Sequence, residues 1–118
     1  YIHPGELQEL LLNRTIYTRV IDVRSEQDFN LFHIRDSFRV DLSDISDQKF
    51  AESLISRASN SVYVLVSNEE TDSTIAWKLL RAQGVLNLYI LEGGMNNWLE
   101  NFPLPESVAK KENFQKEE

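Results

Sequence analysis

The sequence contains no cysteine among its 118 residues. That absence excludes disulfides, thiolate metal sites and any reaction that runs through a thiol of this chain. Glycine and proline are sparse, at four and three, and there is no internal repeat or low-complexity block. Long apolar runs are missing too. The longest, "VYVLV" and "LYIL", are strand-sized, whereas a membrane-crossing helix needs roughly 20 apolar residues. Positive charge is in deficit: 12 Lys and Arg stand against 19 Asp and Glu, a net charge of −7. A broad nucleic-acid footprint needs clustered basic residues, so no nucleic-acid partner is expected. Anionic substrates gain no general attraction either.

What is present fits one globular domain. Hydrophobic residues make up 42% and charged residues 26%, ordinary values for a chain with a single core. "HPGELQELLL" places Pro4 at a first helical position, with Glu6 in the first turn and Leu7, Leu10 and Leu11 along one stripe. "YTRVIDV" is a β-branched run that ends on Asp22 and Arg24. Ser25 and Asp28 have the spacing of a capping box that opens a short helix through Phe29 and Phe32.

The pattern then repeats. "SFRVDL" reads as a short strand, and "SDQKFAESLIS" as a helix behind a Ser46 cap with Phe50, Leu54 and Ile55 facing the core. "SVYVLV" is apolar throughout, as a central parallel strand covered on both faces should be. "STIAWKLLRAQG" places Ile75, Leu79 and Leu80 on one stripe and stops at Gly84. Trp77 falls off that stripe and covers either a second hydrophobic layer or a contact surface. "LNLYIL" gives a last strand, Gly93 and Gly94 a tight turn, and "MNNWLENF" a final helix. Alternating strands and helices predict an α/β fold: a central parallel sheet of about five strands with helices on both faces. The domain is expected over 1–104, with 105–118 a charged C-terminal tail or linker. The chain opens on Tyr1 and is expected to belong to a longer protein.

Two segments resemble the rhodanese-like domain family. "VIDVRSEQDFNLFHIRDSFRVDL" has the family's Asp-Val-Arg strand end, acidic-aromatic helix, His-Ile pair and following strand. "LLRAQGVLNLYILEGGMNNWL" has its closing helix, strand and Gly-Gly-x-x-x-Trp turn. The resemblance implies a small α/β domain whose active members move sulfur through a cysteine persulfide. Their nucleophile follows the central strand in a loop like Cys-x-x-Gly-x-Arg. Counting back from Gly84, Ser67 stands at that cysteine, Glu70 at the glycine and Asp72 at the arginine. The resemblance also implies structural roles for His33, Gly93, Gly94 and Trp98, and a buried Asp22–Arg24 charge pair.

Ser67, Asn68, Glu69, Glu70, Thr71, Asp72 and Ser73 therefore form a vestigial active-site loop in this reading. A serine hydroxyl forms no persulfide and needs a general base, and the chain has only His3 and His33. Glu69, Glu70 and Asp72 also oppose an anion. Each pair at ~6 Å and an effective dielectric of ~40 repels by on the order of 1 kcal/mol. The same acids favour a helix start, with Thr71 or Asp72 as the cap. The leading expectation is a catalytically inactive interaction or regulatory module, with a protein partner or a covalently linked domain and no catalytic residue, metal or cofactor. Two alternatives stand beside it. One is a sulfurtransferase whose cysteine is replaced by Ser67, as an engineered change would do, or supplied by a partner. The other is a small ligand- or cation-binding domain using Glu69, Glu70 and Asp72.

Overall fold

A computed structural model describes residues 1–57 and 59–104; the expected tail at 105–118 lies outside the described residues. Four parallel strands make up the sheet in the order β2-β1-β3-β4: β1 (Tyr17–Asp22), β2 (Phe38–Arg39), β3 (Ser61–Val66) and β4 (Leu88–Ile90). A single parallel bridge from Ile2 to Leu91 adds a fifth position beyond β4. The Ile2 amide donates to Ile90 O at 2.8 Å, and Ile2 O accepts from Glu92 N at 2.8 Å.

Strand alternation divides the core into two layers. Ile21, Tyr63 and Leu65 face α3 (Gln48–Ile55) and α4 (Thr71–Ala82), meeting Ala51, Leu54, Ala76 and Leu80. Val20, Val64 and Val66 face α1 (Pro4–Leu12) and α5 (Gly94–Asn101), meeting Leu7, Met95 and Trp98. Among the described residues no helix is long and apolar enough to cross a membrane.

Three local readings need correction. The cap of α3 is Asp47, whose side chain accepts from Lys49 N at 2.9 Å, and not Ser46. Asp47 lies directly before the first helical residue, where a carboxylate reaches the first free amides. Ile55 is half exposed; the buried face of α3 is Ala51 and Leu54, with Phe50 packed beside them. Ile75 is likewise exposed, and α4 buries Ser73, Ala76 and Leu80 instead. Small Ser73 and Ala76 are fully buried beside Leu80, so the buried face of α4 is turned by about one position from its apolar stripe. Trp77 covers the first core layer from its edge, and its Nε1 donates to Leu88 O at 3.0 Å.

Helix α4 ends as the sequence predicts. Gly84, at φ 93°, donates to Arg81 O at 3.0 Å, and Val85 N donates to Leu80 O at 3.1 Å. These are the two bonds of a Schellman stop, which requires a residue in the left-handed region.

Candidate functional site

The chain passes from β1 to β2 on one side of the sheet and later returns to place β3 on the other. The carboxyl ends of β1 and β3 therefore flank the switch point, where open α/β sheets form their crevices. Asp22 pairs in register with Val66, so the segments that carry Arg24 and Ser67 leave the sheet as neighbours, and both residues line one cavity. A cavity of about 360 Å³ opens there, lined by Arg24, Ser25, Asp28, Ser67, Asn68, Glu69, Thr71 and Asp72.

On the β1 side, Asp22 and Arg24 form a buried ion pair. Arg24 Nε lies 3.0 Å from Asp22 Oδ1, and Nη2 lies 2.9 Å from Oδ2. Arg24 N also donates to Asp22 Oδ1 at 3.0 Å, and Nη2 donates to Phe32 O. The pair thus fastens the end of β1 to the end of α2 (Glu26–Leu31).

On the β3 side, Ser67 is 3% exposed and Ser73 is fully buried. Ser67 Oγ donates to Glu69 O at 2.8 Å, lies 3.0 Å from Ser73 Oγ, and accepts from Ser73 N at 3.3 Å. Ser73 is the third residue of α4, so the Ser67 hydroxyl performs the capping expected of Thr71 or Asp72. Glu70 occupies the cap position but makes no side-chain cap bond. Its carboxylate is diverted across the loop, accepting from Gly93 N at 2.6 Å.

The loop is clamped from below by the start of α5. Met95 N donates to Ser67 O at 2.8 Å, and Asn96 N donates to Asn68 O at 3.1 Å. Gly94, at φ 62°, makes this approach possible. A β-carbon there would lie 2.5 Å from Ser67 O and 2.6 Å from Asn68 O, and closer still to Glu69 O. With its carbonyls held inward, the loop turns its amides the other way. Among the described residues, those of Asn68, Glu69, Glu70, Thr71 and Asp72 take no acceptor. Asn68 also reaches α2, its Nδ2 donating to Asp28 Oδ2 at 3.0 Å.

Neither histidine serves Ser67. His3 caps α1, its Nδ1 accepting from Gly5 N at 3.0 Å. His33 is exposed and stacked on Phe29, with ring centroids 3.8 Å apart, and its Nδ1 lies 2.8 Å from Phe29 O. Trp98 packs in the second core layer, its ring centroid 4.5 Å from that of Phe102. Glu69 and Asp72 are exposed at the rim while Glu70 turns away, so the three acids do not converge. Among the described residues no group of three His, Asp or Glu is placed to hold a metal ion. The links Glu70–Gly93 and Asn68–Asp28 escape sequence reasoning because they span 23 and 40 residues and leave no local spacing to read.

The sequence profile described as "Rhodanese-like domain" matches residues 3–101. A thiosulfate sulfurtransferase, GlpE, of Ectopseudomonas mendocina is 32% identical over 103 residues, covering 86% of each chain. A rhodanese-related protein of Thermoplasma volcanium superposes with a TM-score of 0.69 at 22% identity, over 88% of this chain and 93% of that one. A human single-domain sulfurtransferase gives a TM-score of 0.69 at 19% identity, over 84% and 94%.

Proposed function

Because this chain belongs to the rhodanese-like domain family, we propose that it is a member without sulfur-transfer activity, working as an interaction or regulatory module of a longer protein. One observation carries the proposal. Among the described residues the hydroxyl of Ser67, directly after β3, is bonded only to Glu69 O, Ser73 Oγ and Ser73 N, and none of these is a base. No cysteine elsewhere in the chain takes over. Attack on a sulfane sulfur requires a soft, ionised nucleophile, and a buried hydroxyl engaged in capping a helix is neither soft nor ionised. Exposed Glu69 and Asp72 further oppose thiosulfate.

The test is cyanide-dependent release of thiocyanate from thiosulfate by the purified chain. Release equal to that in buffer is expected; turnover above buffer overturns the proposal.

The 32% identity to a thiosulfate sulfurtransferase favours one second reading, in which a partner protein lends the thiol. That reading requires thiocyanate release when a persulfide-bearing protein and this chain are combined, beyond what the persulfide protein releases alone.

A further inference from the structure

The cavity beside Ser67 carries two kinds of recognition group that no anion and no bare cation satisfies together. The first is a set of hydrogen-bond donors. Arg24 is 7% exposed and lines the cavity, and its Nη1 takes no partner among the described residues, all its side-chain bonds running through Nε and Nη2. That nitrogen is not sealed away, because the one buried side-chain donor or acceptor without a partner among those residues is Thr18 Oγ1. The unpaired amides of Asn68, Glu69, Thr71 and Asp72 belong to residues that line the same cavity. The second is negative charge: Asp28, Glu69 and Asp72 line the same cavity. Asp22 neutralises Arg24, and Asp41 pairs with the neighbouring Arg39, so these three carboxylates dominate the local field.

An anion fits the donors but meets three carboxylates. A metal ion fits the carboxylates but leaves every donor idle, and the acids do not converge on one. A basic peptide uses both sets. Its backbone carbonyls are neutral acceptors for Arg24 Nη1 and the loop amides, while its ammonium or guanidinium groups meet the acids. The volume of about 360 Å³ is at the lower end of ligand pockets, enough for one long side chain and its adjoining peptide group. We propose that the cavity between α2 and α4 docks a lysine- or arginine-bearing segment of a partner protein. This inference rests on reading the domain as an interaction module, and names the chemistry of its partner.

The experiment is titration of the full 15N-labelled chain with an acetylated and amidated lysine-rich pentapeptide, followed by amide chemical shifts. Saturable shifts centred on Arg24, Ser25 and Asn68 to Asp72 are expected. The double variant Glu69→Gln/Asp72→Asn should weaken binding about fivefold, as expected for two partly exposed charge contacts. Glu9→Gln/Glu52→Gln removes the same charge from positions that do not line the cavity and should leave affinity unchanged. Spectra of the free variants establish that both remain folded. Equal weakening by the two double variants, shifts scattered over all acidic surfaces, or shifts at the loop with thiosulfate but not with the peptide would each overturn the inference. A silent titration together with absent thiocyanate release overturns this inference alone. Thiocyanate release overturns the module reading whatever the peptide does.

Discussion

Glu70 Oε2 accepts the amide of Gly93 at 2.6 Å, joining the loop after β3 to the turn before α5. A carboxylate replaces water for an amide at a left-handed glycine and holds two separate segments in one geometry. Glu70→Ala should therefore destabilise the domain by about 1–2 kcal/mol, and Glu70→Gln, which keeps an acceptor without the charge, by about half as much. Urea unfolding measures both. Faster exchange of the Gly93 amide in Glu70→Ala would tie the loss to this bond; unchanged exchange would refute it.

The Asp22–Arg24 pair is buried on both sides, with Asp22 fully so. Removing one partner strands the other charge, and Arg24→Met should cost about 3–5 kcal/mol. Asp22→Asn/Arg24→Met removes both charges and should recover part of that loss. A double variant as unstable as the sum of its singles would mean that the two groups do not interact.

The layered architecture was legible in the sequence because each strand alternates or runs apolar and each helix carries its own start or stop. Pro4, Ser25 and Gly84 act within their own segments, and each stands where its local chemistry requires. What was not legible depends on distance through space. Glu70 looked like part of a helix start, yet its partner is 23 residues away, and with Glu70 drawn off the cap of α4 falls to Ser67. Ile75 and Ile55 read as core because periodicity weighs apolarity alone. The buried positions are instead the smaller Ser73, Ala76 and Ala51, beside Leu80 and Leu54.

Thr18 Oγ1 on β1 is buried without a hydrogen-bond partner among the described residues. A hydroxyl stripped of water and given nothing in return costs free energy, and valine has nearly the same shape and suits a strand. Thr18→Val should raise stability by about 1 kcal/mol, read from the urea midpoint. A lower midpoint would show that the hydroxyl has a partner in solution.

Tyr63 donates its hydroxyl to Leu54 O at 2.7 Å inside the first core layer. Burial raises its pKa above the ordinary value of 10.0, outweighing the opposing effects of Arg57, Ser61 and Arg19. The folded state therefore holds this proton more tightly than the unfolded chain. The associated stability is complete below the unfolded pKa and is lost as pH rises through the folded one. Unfolding midpoints between about pH 8 and 11 should fall more steeply for the native chain than for Tyr63→Phe, which has no phenol to titrate. Parallel curves would refute the assignment.

Restoring the family's nucleophile is the sharpest test of what the loop can do. Ser67→Cys places a thiol where β3 meets α4, yet three features oppose its chemistry. The position is 3% exposed, and burial raises a thiol's pKa. The exposed carboxylates of Glu69 and Asp72 line the same cavity and disfavour both thiolate and thiosulfate. The bond from Ser67 Oγ that caps Ser73 N at 3.3 Å would pass to a weaker sulfur acceptor, costing about 0.5–2 kcal/mol of stability. Ser67→Cys alone should therefore release no thiocyanate above buffer. Adding Glu69→Gln and Asp72→Arg should speed alkylation of the new thiol by iodoacetamide at neutral pH, because the local charge then favours thiolate. Equal alkylation rates in the two backgrounds would show that the acids do not govern this site.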